Sequence, residues 1–175
     1  MADLAAWYAP GSLDDFEQGD IFPNATIPYT AAVNLAKVQP IPTRLGAFVV
    51  LTQSCDIPKA ETILLAEVMP YLRLRKEQRS PWASSKFLKV LLRNRVEHFM
   101  LIPPYDETPT GWGVVSFRNL HVVSRQVLTE LATAQVPVRM RSPYSELLGE
   151  CFARSIMRIA VPEPLDEFLD VEWPS

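Results

Sequence analysis

The sequence predicts an α+β domain with several short strands, a basic helical insertion and a helix near its C-terminal end. Three observations lead there. Short β-branched and aromatic runs recur between residues 19 and 123, as strands require. Ser80-Pro81 and Ser142-Pro143 each precede apolar residues at helical spacing, and serine followed by proline suits a helix start. Sixteen prolines against six glycines divide the chain into short segments and argue against a long helical array. With 175 residues, 48% of them hydrophobic, the chain fits one domain with a sizeable core. Residues 1–162 are assigned to it, with the sheet at about 19–123, helices at about 81–95, 124–134 and 143–161, and 163–175 as an acidic tail.

Taken in order, Gly19-Asp20-Ile21-Phe22 is a short strand stopped by Pro23, and residues 23–43 form a long loop with room for one short strand around Ala31 to Val38. Ala47 to Thr52 is apolar without alternation and predicts a central strand buried on both faces; Ile63 to Met69 is a second, ended by Pro70. After Ser80-Pro81, the residues Phe87, Leu88, Leu91 and Leu92 share one helical face. His98 to Ile102 and Gly113 to Val123 are further strands, Ser124 caps a helix to about Ala134, and Val136 to Met140 is extended. The last helix carries Tyr144, Leu148, Cys151, Phe152, Ile156 and Ile159 on one stripe.

The net charge is −3, but it is unevenly spread. Residues 1–22 hold Asp3, Asp14, Asp15, Glu17 and Asp20 with no basic residue, and 163–175 hold Glu163, Asp166, Glu167, Asp170 and Glu172 with none. Between them Arg73, Arg75, Lys76, Arg79, Lys86, Lys89, Arg93 and Arg95 face the single acid Glu77, a local charge of +7. Such a segment is either a solvated helix surface or a site for an anionic partner: nucleic acid, an acidic protein or the chain's own acidic ends. Arg154 and Arg158 are spaced to pair with Glu146 and Glu150 along the last helix.

Two cysteines give no disulfide framework, and no signal-like start or long apolar run is present. The expectation is a cytoplasmic protein with reduced thiols and no membrane association. The cysteines and histidines lack the paired spacing of a zinc site, and no glycine-rich phosphate loop occurs, so neither a metal nor a nucleotide cofactor is expected. Cys55-Asp56 follows a buried strand. With His98 or His121 as base and Asp56 as orienter, Cys55 is a candidate nucleophile; the alternative is a small hydrophobe.

The order Gly19-Asp20-Ile21, long loop, Arg44, Ala47 to Thr52, Ile63 to Met69 resembles the PemK/MazF-like toxin fold over about residues 19–70. The resemblance implies a small SH3-like antiparallel barrel with a C-terminal helix. It also implies a role for Arg44 in RNA cleavage, under a gating first loop. The chain departs from the family where Leu45-Gly46 separates Arg44 from the strand and where Pro70-Tyr71 replaces the Thr or Ser after the later strand. These departures imply a binding module on the same fold. The first reading is therefore an interaction module of a bacterial toxin–antitoxin or phage-defence system, holding an anionic partner on the basic segment. The second is an endoribonuclease using Arg44 and His98, and the third a cysteine-dependent hydrolase on Cys55.

Overall fold

Apolar strands without alternation need cover on both faces, and the helices of this chain supply it on opposite sides of one sheet. The computed structural model describes residues 4–29, 40–78, 80–105 and 111–157. A 3-10 turn at Leu4–Trp7 leads to β1 (Tyr8–Pro10), β2 (Asp20–Pro28), β3 (Thr43–Val50), β4 (Thr62–Pro70), α1 (Tyr71–Gln78), α2 (Ser85–Leu91), β5 (Phe99–Ile102), β6 (Gly113–Ser124), α3 (Arg125–Ala134), β7 (Val138–Met140) and α4 (Tyr144–Ile156). The seven strands form one sheet, ordered β1-β7-β2-β3-β4-β6-β5, and every pairing is antiparallel. As the unbroken apolar run of β3 predicts, it is the central strand.

The two faces divide the core by strand alternation. On one face, Phe22, Phe48, Val50, Ile63 and Leu65 pack with Leu128 and Ala132 of α3. Farther along the same face, Met69 and Val114 pack with Tyr71 and Leu74 of α1, with Trp82, and with Leu91 of α2. On the other face, Ile21, Val49, Val68, Met100, Ile102 and Phe117 pack with Leu148 and Cys151 of α4. Burial also raises the pKa of the Cys151 thiol, although Arg154 opposes this.

The expected barrel does not close. β1 and β5, of three and four residues, are separate edges of the sheet and no ladder joins them. A side-chain link stands in place of a ladder: the Tyr8 hydroxyl donates to the Pro103 carbonyl at 2.9 Å, and its ring meets Tyr105 edge-on. Burial first, and Tyr105 second, push the Tyr8 phenol well above its ordinary pKa, so it remains a donor. The sheet also extends beyond 19–123, because β1 and β7 pair with each other and β7 pairs with β2.

Other boundaries move for local reasons. β2 runs past Pro23 because a bulge between Phe22 and Ala25 places the proline where no ladder donor is needed. The 23–43 loop is correspondingly shorter, and the strand expected at Ala31 to Val38 lies outside the described residues. The helix expected at 81–95 is shorter, α2 at Ser85–Leu91. α1 precedes it, anchored by only two apolar side chains, Tyr71 and Leu74. Ser80-Pro81 lies in a turn, and the cap of α2 is Ser84, whose hydroxyl accepts from the Phe87 N–H. Ser124 caps α3 as expected, accepting from the Val127 N–H. The α4 stripe ends on buried Ser155 and leaves Ile156 61% exposed; Ile159 is outside the described residues.

Candidate functional site

Glu67 is the one charged residue of β4, and it is almost fully buried in the middle of the sheet. A buried carboxylate requires donors. Arg44 on β3 supplies Nε at 3.2 Å and Nη2 at 2.6 Å to Oε1, and Asn119 on β6 donates to Oε2 at 2.9 Å. Gly46 stands between Arg44 and Phe48 on this face, and a Cβ there would come within 3.4 Å of the Phe48 ring. Tyr29, at the end of β2, lies under the guanidinium with its ring centre 5.5 Å from Cζ. The Arg44 side chain nevertheless remains 38% exposed, so the ion pair opens to solvent.

His121 on β6 completes the group. Its ring stands edge-on to Phe48 at 5.2 Å and lies 6.0 Å from Tyr29. Its Nε2 is buried and has no hydrogen-bond partner among the described residues. Desolvation lowers the His121 pKa most; Arg44 lowers it further, against the opposing effect of Glu67. The imidazole is therefore held neutral at neutral pH, able to accept one proton. A guanidinium, a carboxylate and a neutral imidazole thus share one patch, which can hold an anion and move a proton beside it.

This patch lies between two helical units. Glu67 alternates with Leu65 on one side, in the α3 core, and with Met69 on the other, in the α1–α2 core. Arg73, Arg75 and Lys76 on α1, Lys86 and Lys89 on α2, and Arg93 and Arg95 just after it are all exposed, while Arg79 is outside the described residues. Arg118 on β6 is exposed as well, its Cζ 5.9 Å from the Phe99 ring centre.

The other predicted chemistry does not assemble. Cys55 and Asp56 lie in the exposed turn after β3, the length of that strand from Arg44, on the order of 20 Å. The Cys55 thiol lies 4.0 Å from Gln53 Oε1 and 3.8 Å from Asp56 Oδ1. His98 points to α4 on the opposite sheet face, with Nδ1 3.2 Å from Ser155 Oγ, so it stands beside neither Arg44 nor Cys55. Glu67, Asn119 and Tyr29 were not singled out by sequence reasoning. Glu67 had a signal, a lone charge inside an apolar run; the other two are brought in only by register. Among the described residues no set of three His, Cys, Asp or Glu side chains converges to hold a metal, and no helix is long and apolar enough to cross a membrane.

A second arginine cluster has a different character. Asp20, completely buried, accepts from Arg139 Nε at 2.7 Å and Nη2 at 2.9 Å and from the Glu17 N–H at 2.9 Å. Arg139 also pairs with Glu17 and donates to the Asp15 carbonyl. Of the N-terminal acids, Glu17 and Asp20 therefore meet Arg139 on β7. Arg154 pairs with Glu150 at 3.7 Å, as its spacing predicts. No protein-family model matches the chain, and no curated protein matches it.

Proposed function

We propose that the chain is an interaction module that holds single-stranded RNA along the sheet face shared by Arg44 and the basic α1–α2 unit. One observation carries the reading: the half-exposed guanidinium of Arg44 and the exposed cations of the helical insertion lie on the same side of one sheet. Arginine and lysine contacts to phosphates supply sequence-independent affinity, and Tyr29 offers an aromatic ring beside them. The order β2, connection, Arg44 at the start of β3, then β4 supports the resemblance to the SH3-like PemK/MazF toxins. A bacterial toxin–antitoxin or phage-defence setting follows from that resemblance.

A second reading, endoribonuclease activity, is favoured by His121 and not by His98. The neutral imidazole with its buried, unpartnered Nε2 adjoins Arg44 and Glu67, the types of group that transfer protons and stabilise charge at a phosphodiester. The cysteine-hydrolase reading has no histidine at Cys55 to support it.

The test is binding to a labelled mixed-sequence single-stranded RNA at two salt concentrations, with RNA integrity scored in the same tube. For the module, affinity falls with salt by a log–log slope of about −0.7 per phosphate contact, the RNA stays intact, and Lys86→Glu with Lys89→Glu weakens binding. Cleavage that is lost in Arg44→Lys and in His121→Gln, with folding retained, selects the nuclease. Neither binding nor cleavage at low salt overturns both.

A further inference from the structure

The end of α4 adjoins the end of the basic segment. Cys151 and Arg154 share a small cleft with Asn94, Arg95, Val96 and Glu97. Arg95, Val96 and Glu97 continue into a groove of about 490 Å³, whose apolar lining comes from Phe87, Val90 and Val96, whose cations are Lys86 and Arg95, and which Ser84 and the Glu97 carboxylate also line. Val90 is 37% exposed there, and the neighbouring Lys89 and Arg93 face solvent. An apolar strip with basic margins fits a segment that carries apolar side chains on one side and carboxylates on the other.

We propose that the groove is occupied by residues 163–175 of the same chain. Charge complementarity is the first argument: this segment holds Glu163, Asp166, Glu167, Asp170 and Glu172 and no basic residue, while Glu17 and Asp20 toward the other end of the chain are already committed to Arg139. Patterning is the second. Leu165, Phe168 and Leu169 are spaced i, i+3, i+4, with Asp166, Glu167 and Asp170 in the intervening positions, and Trp173 follows. Reach is the third. The connecting residues 158–162 can span on the order of 16 Å when extended, against about 10 Å for the whole of α2. Tethering at that distance gives an effective concentration in the millimolar range, so a weak contact suffices. The occupant neutralises part of the +7 segment in cis, independently of whether RNA is the external partner.

The test uses the full chain labelled with 5-fluorotryptophan. Its four tryptophans give four ¹⁹F resonances, and Trp173 is the one missing from Trp173→Phe. The Trp173 resonance is expected away from its position in a free 163–175 peptide. It should return to that position in Lys86→Glu/Arg95→Glu and in about 1 M salt, where the Debye length is near 3 Å. The Trp7 resonance, on the opposite side of the sheet, reports that the variant still folds. Coincidence with the free peptide at low salt overturns the proposal, as does a resonance that ignores the charge reversal. A shift that grows with protein concentration assigns the tail to another copy and overturns the cis arrangement.

Discussion

Arg139 and Arg44 each hold a buried carboxylate on the same sheet, yet their surroundings assign them different work. Arg139 is spent: its side chain is 17% exposed, Asp20 is fully enclosed, and Glu17 and the Asp15 carbonyl take its other donors. Its pKa is raised first by the hydrogen bonds it donates to Asp20 and then, against burial, by the surrounding acids. Arg44 is only half committed. It satisfies Glu67 with Nε and Nη2 and presents the rest of its guanidinium to solvent beside a neutral imidazole. An arginine closed in by several acceptors fixes the position of β7 against β2. One that shares its carboxylate with an asparagine keeps capacity for a ligand. The difference lies in how many acceptors the fold delivers, since the residue type is the same.

The contrast breaks most visibly at Asp20. Asp20→Ala leaves Arg139 at the β2–β7 junction without its buried counter-charge, and removing one partner of such a pair costs about 3–5 kcal/mol. Denaturant unfolding should show that loss; a change below about 1 kcal/mol would place this cluster with ordinary surface pairs. Arg44→Ala should cost less, roughly 1–3 kcal/mol, because Asn119 still donates to Glu67 and the arginine is partly exposed. Arg44→Lys should recover part of the stability but not the two-pronged hydrogen bonding. Equal losses at Asp20 and Arg44, measured in the same urea series, would erase the distinction between a sealed and an open pair.

His121 provides the smallest and most specific effect. Its folded pKa is below the ordinary 6.5, so between the folded value and about 6.5 the unfolded chain binds more protons than the folded one. Stability contributed by this site is therefore present above that window and is lost as pH falls through it. Urea unfolding across about pH 5 to 7.5 should show stability rising with pH, and His121→Gln should flatten that component. A slope unchanged by the substitution would mean that His121 is not the group desolvated on folding.

Much of the framework was legible because it rests on local chemistry. The apolar run Ala47 to Thr52 specified a strand needing cover on both sides, and Ser124 specified a cap. α1 was not legible, since Tyr71 and Leu74 are its only apolar anchors among charged neighbours. Nor was the open sheet: three-residue strands such as β1 and β7 carry too little pattern, and the resemblance to a barrel described only the segment through β4. At the site, Arg44 was found by its position in that resemblance. Glu67 was visible as a charge interrupting an apolar strand. His121 was considered only as a partner for Cys55, and the bulge between Ala66 and Glu67 that shifts the β4–β6 register leaves no mark in composition.

The sequence by itself determined the class of the fold, the central place of β3, the basic segment with its acidic ends, and the presence of an arginine at the head of a buried strand. These follow from residue type and short-range spacing, which act before the chain is compact. Only the tertiary structure decided that the sheet stays open, that Asp20 is enclosed by Arg139, and that Arg44, Glu67, Asn119 and His121 meet. Those outcomes depend on strand register, on which face each helix covers, and on how many donors reach each buried carboxylate. Such contacts join residues far apart in sequence, and their energies are set by burial that exists only after the sheet has formed.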